Sequence, residues 1–243
     1  TLPNELIRAR PVLSVGYGWA LLSVGELESS EARLRDAERW LNTRLPGMVV
    51  VDEEEFRRLP GMIALLRAAQ ALARGDMFET VRNARRVLDL APEDAHLMLG
   101  GAASVLGLAA WASGDLEAAR RMTADGMANV RLAGYISSAI GGAIVLADIQ
   151  IAQGRLHEAM ATYEQALQWA TAPGAPILRG VADMYVGMSN LHYEHNDLKT
   201  ASECLLASQS LGELAGLPGQ PAGPRALRGG LPRQLRLVDA LHR

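Results

Sequence analysis

"AQGRLHEAMATYEQAL", residues 152–167, reads as the end of one helix, a tight turn at Gly154 and the start of a second, amphipathic helix. Four other stretches repeat the phrase: "SVGELESSEARL" from Ser23, "ARGDMFETVRNA" from Ala73, "ASGDLEAARRMT" from Ala112 and "EHNDLKTASECL" from Glu194. Aligned on the turn, they place Gly25, Gly75, Gly114, Gly154 and Asn196 at intervals of 50, 39, 40 and 42 residues. Glycine or asparagine suits the left-handed backbone at a helix C-terminus, where a Cβ is costly. An acidic residue follows in four of the five (Glu26, Asp76, Asp115 and Asp197, with Arg155 the exception), placed to cap the next helix or to favour its dipole.

A second register runs alongside the turns. Five residues after each stands a small side chain (Ser30, Thr80, Ala119, Ala159, Ala201), and seven before each another (Gly18, Ala68, Gly107, Ala147, Ser189). Larger apolar residues surround them at helical spacing, Leu106, Leu146 and Met188 before the turn and Leu116, Leu156 and Leu198 after it. Each unit is thus a helical hairpin whose paired helices approach closely. Alone it cannot bury its apolar face, but stacked units form one continuous core. The spacing resembles the tetratricopeptide repeat stretched to about 40 residues, and Pro92 stands where that motif ends in proline. The predicted fold is all-α, an α-α superhelix of about five hairpins over residues 1–216.

Between the first two units lies "TRLPGMVVVDEEEF", residues 43–56, broken by Pro46–Gly47. "MVVV" reads as an extended connection, followed by a helix that starts near Asp52 or beyond Pro60. "TAPGAP", 171–176, marks another loop. Residues 217–243, rich in glycine, proline and arginine, read as an irregular tail with room for one short helix at 231–243. The chain lacks an initiator methionine and reads as a piece of something longer. Its ends are expected to fray, or to be buried in a self-contact, where neighbouring repeats would otherwise cap them.

Composition narrows the function. Hydrophobic residues make up 49% and charged residues 21%, ordinary proportions for a soluble protein. A net charge of −3 gives no footprint for direct nucleic-acid binding. The lone Cys204 excludes an intrachain disulfide and suits a reducing, cytoplasmic setting. No apolar run is long enough to span a membrane.

Catalytic readings fail on residue type and spacing. His157–Glu158 is followed by Ala161 where a zinc-protease helix needs a second histidine. His192 and His195 share a helical turn but lack the third ligand that a zinc site requires. The acidic run Asp52–Glu55 suits a solvated loop or helix start rather than a carboxylate pair across a cleft. Cys204 sits in the small-and-apolar register of a buried thiol, and "GYG" at 16–18 follows no strand. No enzyme, metal site or cofactor is expected.

"LPNELIRARPVLSVGYGWALLSVGELESSEARLRDAERWL" and "IQIAQGRLHEAMATYEQALQWA", with "LHYEHNDLKTASECL" as the last well-kept hairpin, resemble the central repeat region of the large ATP-dependent LuxR-family (MalT-like) transcriptional regulators. The resemblance covers about residues 2–216. It implies an effector-sensing and oligomerisation module lying between an ATPase domain and a helix-turn-helix DNA-binding domain. Neither flanking activity is legible here, since no G-x-x-x-x-G-K-[ST] loop is present. Under tetratricopeptide geometry the inner helices end at the five turns, and their groove-facing positions include Trp19, Trp111, Asp148, Asp183, Asn190 and Tyr193. Aromatic faces with a few amide and carboxylate groups suit a small polar effector or a peptide. The competing reading packs Trp19 and Trp111 between hairpins and leaves the polar groups solvated. A plain scaffold for a partner peptide or helix is the alternative function.

Overall fold

The computed structural model describes residues 3–41, 47–170, 178 and 180–215. Among the described residues there are eleven helices and no strand. After a short α1 (Asn4–Arg8) come five hairpins: α2 (Pro11–Ser23) with α3 (Leu27–Glu38), α4 (Glu53–Arg74) with α5 (Met77–Leu90), α6 (His96–Ala112) with α7 (Leu116–Leu132), α8 (Ile136–Ala152) with α9 (Leu156–Ala170), and α10 (Val181–Glu194) with α11 (Leu198–Ala215). The chain divides into two compact units, residues 1–169 and 170–243.

Every hairpin turns by the same local chemistry. Gly25, Gly75, Gly114, Gly154 and Asn196 all have positive φ, between 58° and 84°. The next residue's N–H reaches back five residues, from Glu26 to Leu21 O, Asp76 to Ala71 O, Asp115 to Ala110 O, Arg155 to Gln150 O and Asp197 to His192 O, at 2.8–3.0 Å. These bonds satisfy carbonyls that a helix end otherwise leaves orphaned. Asp76, Asp115 and Asp197 then accept from the backbone N–H three residues on, capping the second helix. Glu26 makes no such bond. Gly134 repeats the device between α7 and α8, with φ 82° and Tyr135 N–H donating to Val130 O.

All ten small positions are buried. In the first hairpin the Ser30 hydroxyl donates to Gly18 O at 2.8 Å; in the last, Ser189 donates to Ala201 O at 2.9 Å, the same crossing made in the opposite direction. The Gln70 amide, 2.9 Å from the Ser30 hydroxyl, ties α4 to the first hairpin. Helices α6 and α7 also approach closely. A Cβ on Gly126 would stand 2.9 Å from Ser104 N and 3.0 Å from Gly100 O, so backbone meets backbone there.

Stacking within the first unit follows from α4, which is shared by successive cores. Its Leu59, Ile63 and Leu66 pack with Val15 and Leu34, while Ala64 and Leu65 pack with Val87, Met98 and Ala102. The connection before α4 runs extended through Val49, whose N–H donates to Ala9 O, and Asp52 caps the helix through Glu54 and Glu55 N–H. The helix therefore starts after Asp52 and carries Pro60 in its interior, and the acidic run is a helix start. At the N-terminus α1 is tied down. Ile7 is buried, Ser14 donates to Ile7 O, Trp40 donates to Arg8 O, and Arg8 reaches the buried Asp36 at 3.4 Å, beside Arg33 and Arg39. The "TAPGAP" loop and the tail 217–243 lie outside the described residues.

Two helical glycines should respond to alanine with opposite signs. Gly126→Ala forces backbones apart and is expected to cost about 1–3 kcal/mol, the usual penalty of overpacking. Gly141→Ala meets nothing within 4 Å and should gain up to about 1 kcal/mol from helix propensity. Urea denaturation of the two variants beside the parent measures both.

Candidate functional site

The first helices of four successive hairpins line one cavity of about 550 Å³ in the first unit. On α6 the lining follows a single stripe, Leu97, Gly101, Ser104 and Leu108, and on α8 another, Ser138, Gly141 and Val145. Trp19 of α2 and Leu65 of α4 close one side, and Tyr135 stands at the start of α8. Steps of three and four residues keep each set on one helix face, and small residues at the centre of each stripe leave the space that larger neighbours enclose. None of the described residues lining the cavity carries a charge. Thr123, reaching it from α7, is 3% exposed, and its Oγ1 has no hydrogen-bond partner among the described residues.

The sequence-predicted site residues distribute as follows. Trp19 lines the cavity. Trp111 and Asp148 continue the same two stripes one turn further, at three residues beyond Leu108 and Val145, outside the cavity wall. Asp183, Asn190 and Tyr193 share one face of α10 in the second unit, with Asp183 and Tyr193 exposed. The cavity itself was missed. Its available signal was the pairing of small residues at helical spacing in "GGAAS" and "SSAIGG", which reads equally well as close helix packing.

Electrostatics separate the polar members from the apolar wall. Asp148 is exposed, yet loss of hydration pushes its carboxyl above the usual carboxylate range. Asp197 behaves oppositely, held below its ordinary value by hydrogen bonds from Thr200 and, more weakly, by the His192 ring 3.5 Å away. That contact spans the α10–α11 turn. Cys204 is buried, with its thiol pushed up by desolvation. Of the remaining tryptophans, Trp169 lies beneath the Arg131 guanidinium, 5.2 Å from the ring centre. Among the described residues no group of three or more His, Cys, Asp or Glu is placed to hold a metal, and no helix is long and apolar enough to cross a membrane.

Asp148 yields a signed pH dependence. Ionising it costs more in the folded chain than in the unfolded one, so its contribution to stability falls as pH rises from the unfolded carboxylate value of about 3.9 through the folded one. Asp148→Asn is therefore expected to melt above the parent at pH 7.5, with the gap closing as the pH is lowered toward 3.5. Thermal melts across that range test it, and a gap that widens on acidification would refute it.

Comparison with known proteins places this geometry. The chain is similar in fold to two solved structures, described as "Crystal structure of BtubC (BKLC) from P. vanneervenii" and "Crystal structure of MamA". The first matches with a TM-score of 0.61 at 12% identity, covering 88% of this chain and 85% of that one. The second matches with a TM-score of 0.53 at 11% identity, covering 81% and 95% respectively. No curated protein matches in sequence. A family model for the MalT-like tetratricopeptide-repeat region matches residues 61–219, which hold the last four of the five repeated turns. That match spans more than half of the chain, which therefore belongs to the MalT-like tetratricopeptide-repeat family.

Proposed function

We propose that this repeat scaffold is the effector-sensing and self-association module of a MalT-like, LuxR-family transcriptional regulator acting in the bacterial cytoplasm. The single observation that supports it most is the common face of the first helices. Their stripes carry Trp19, Trp111 and Asp148 around an open cavity in the first unit, and α10 carries Asp183, Asn190 and Tyr193 on one face of its own. A face that the hairpin partners do not cover is available to a ligand. Solenoid repeats touch only their neighbours, so a ligand seated across several of them biases how the hairpins stack. It shifts that equilibrium only by its differential affinity for the two arrangements. In this reading the shift passes to flanking ATPase and DNA-binding domains, and the repeat region itself neither catalyses a reaction nor contacts nucleic acid. Its carboxylates and aromatic rings act as recognition groups and need no cofactor.

A scaffold for a partner peptide is the second reading. Tyr193, Leu198 and Leu206, all more than 40% exposed in the second unit, favour it, since exposed apolar groups suit a protein partner.

A thermal-shift panel of sugars, nucleotides, aromatic acids and short peptides separates the two. A ligand at 100 times its Kd stabilises by about 2.7 kcal/mol. The sensing role predicts a small-molecule hit that Trp111→Ala or Asp148→Ala abolishes without lowering the unliganded melting temperature, together with a ligand-dependent change in mass by light scattering. Stabilisation by peptides alone would move the assignment to the scaffold.

A further inference from the structure

We propose that the cavity bounded by α4, α6 and α8 is a site for a neutral, largely apolar small molecule, a proposal that rests on the binding role given above to this face. Its volume of about 550 Å³ falls in the range of roughly 300–1,000 Å³ typical of small-molecule pockets. The apolar wall is confined to a few turns of α6 and α8, and on α8 it gives way to Asp148 one turn on. A partner helix laid along the stripe would set its apolar face against that carboxylate, whereas a compact molecule can keep its apolar body short of it.

Charge fixes the ligand class. No described lining residue is charged, so a charge carried into the cavity would be desolvated with nothing opposite it. Ser104 already donates to Gly100 O at 2.8 Å, and Ser138 stands at the exposed rim. Thr123 Oγ1 is buried without a protein partner, but it sits 2.5 Å from where a Gly107 Cβ would stand, in the α6–α7 seam, so the wall offers the ligand no unpaired buried hydroxyl. Gly141 sets the size limit, because nothing lies within 4 Å of where its Cβ would stand and any side chain added there occupies ligand space.

The test titrates the full chain with the neutral fluorophore 6-propionyl-2-dimethylaminonaphthalene and in parallel with anionic 1-anilinonaphthalene-8-sulfonate. One neutral probe per chain is expected to bind with a blue-shifted rise in emission, at least tenfold more tightly than the anion. Gly141→Leu, which adds bulk to open space without a backbone clash, should weaken it tenfold or more, and Ala128→Leu on the exposed face of α7 should leave it unchanged. Equal binding to Gly141→Leu and the parent, or equal affinity for the anion, overturns the proposal. Absence of neutral-probe binding overturns it as well; the wider binding role survives that result if a polar effector or peptide still stabilises the chain in a Trp111-dependent manner, and falls with it otherwise.

Discussion

Close approach of paired helices at the small positions is the constraint on which the rest depends. Two helices can meet backbone to backbone only where neither carries bulk, and all ten residues of that register are buried. Ser30 and Ser189 add a hydrogen bond across the seam from opposite sides, so the geometry is shared while the chemistry that pins it is not. The positive-φ turn brings the second helix back at the right point, and the paired helices then offer their remaining apolar faces to the next hairpin. Without that seam the Leu66 and Met98 cores would have no aligned surface to form on.

The same seam leaves one face of each first helix unclaimed. On α6 the outer partner is held through Gly100, Gly107 and their contacts with Val130 and Thr123, so the stripe through Gly101 and Ser104 turns toward the cavity instead. Small residues therefore do two unlike things in one helix. At Gly126 and Gly107 the missing side chain is replaced by a neighbour's atoms. At Gly141 it is replaced by nothing, and the space stays open.

Polar groups in the first unit sort by whether a partner meets them. Asp36 is buried among Arg8, Arg33 and Arg39 and joins α1 to α3 in a structural cluster. Asp148 has no such cluster, and its raised carboxyl records hydration lost without a compensating cation. Thr123 is the neutral counterpart, a buried hydroxyl with no acceptor.

The turns, the small-residue register and the all-α repeat were legible in the sequence because each rests on local chemistry. Whether Gly75 or Asn196 takes positive φ depends on its own lack of a branched side chain and on carbonyls within the preceding turn. Family membership followed from the same residues. Helical periodicity alone assigns a face, and on that basis Trp19, Trp111 and Asp148 fall on the stripes of the first helices. The sequence did not reveal that Trp111 and Asp148 flank a cavity rather than wall it, that Pro60 lies inside α4, or that Gly126 and Gly141 have opposite surroundings. Those outcomes depend on atoms tens of residues away, such as Ser104 against Gly126, and only tertiary packing brings such atoms together. Local dihedral preference wrote the repeat into the sequence; the distance between stacked backbones decided which gaps were filled and which stayed open.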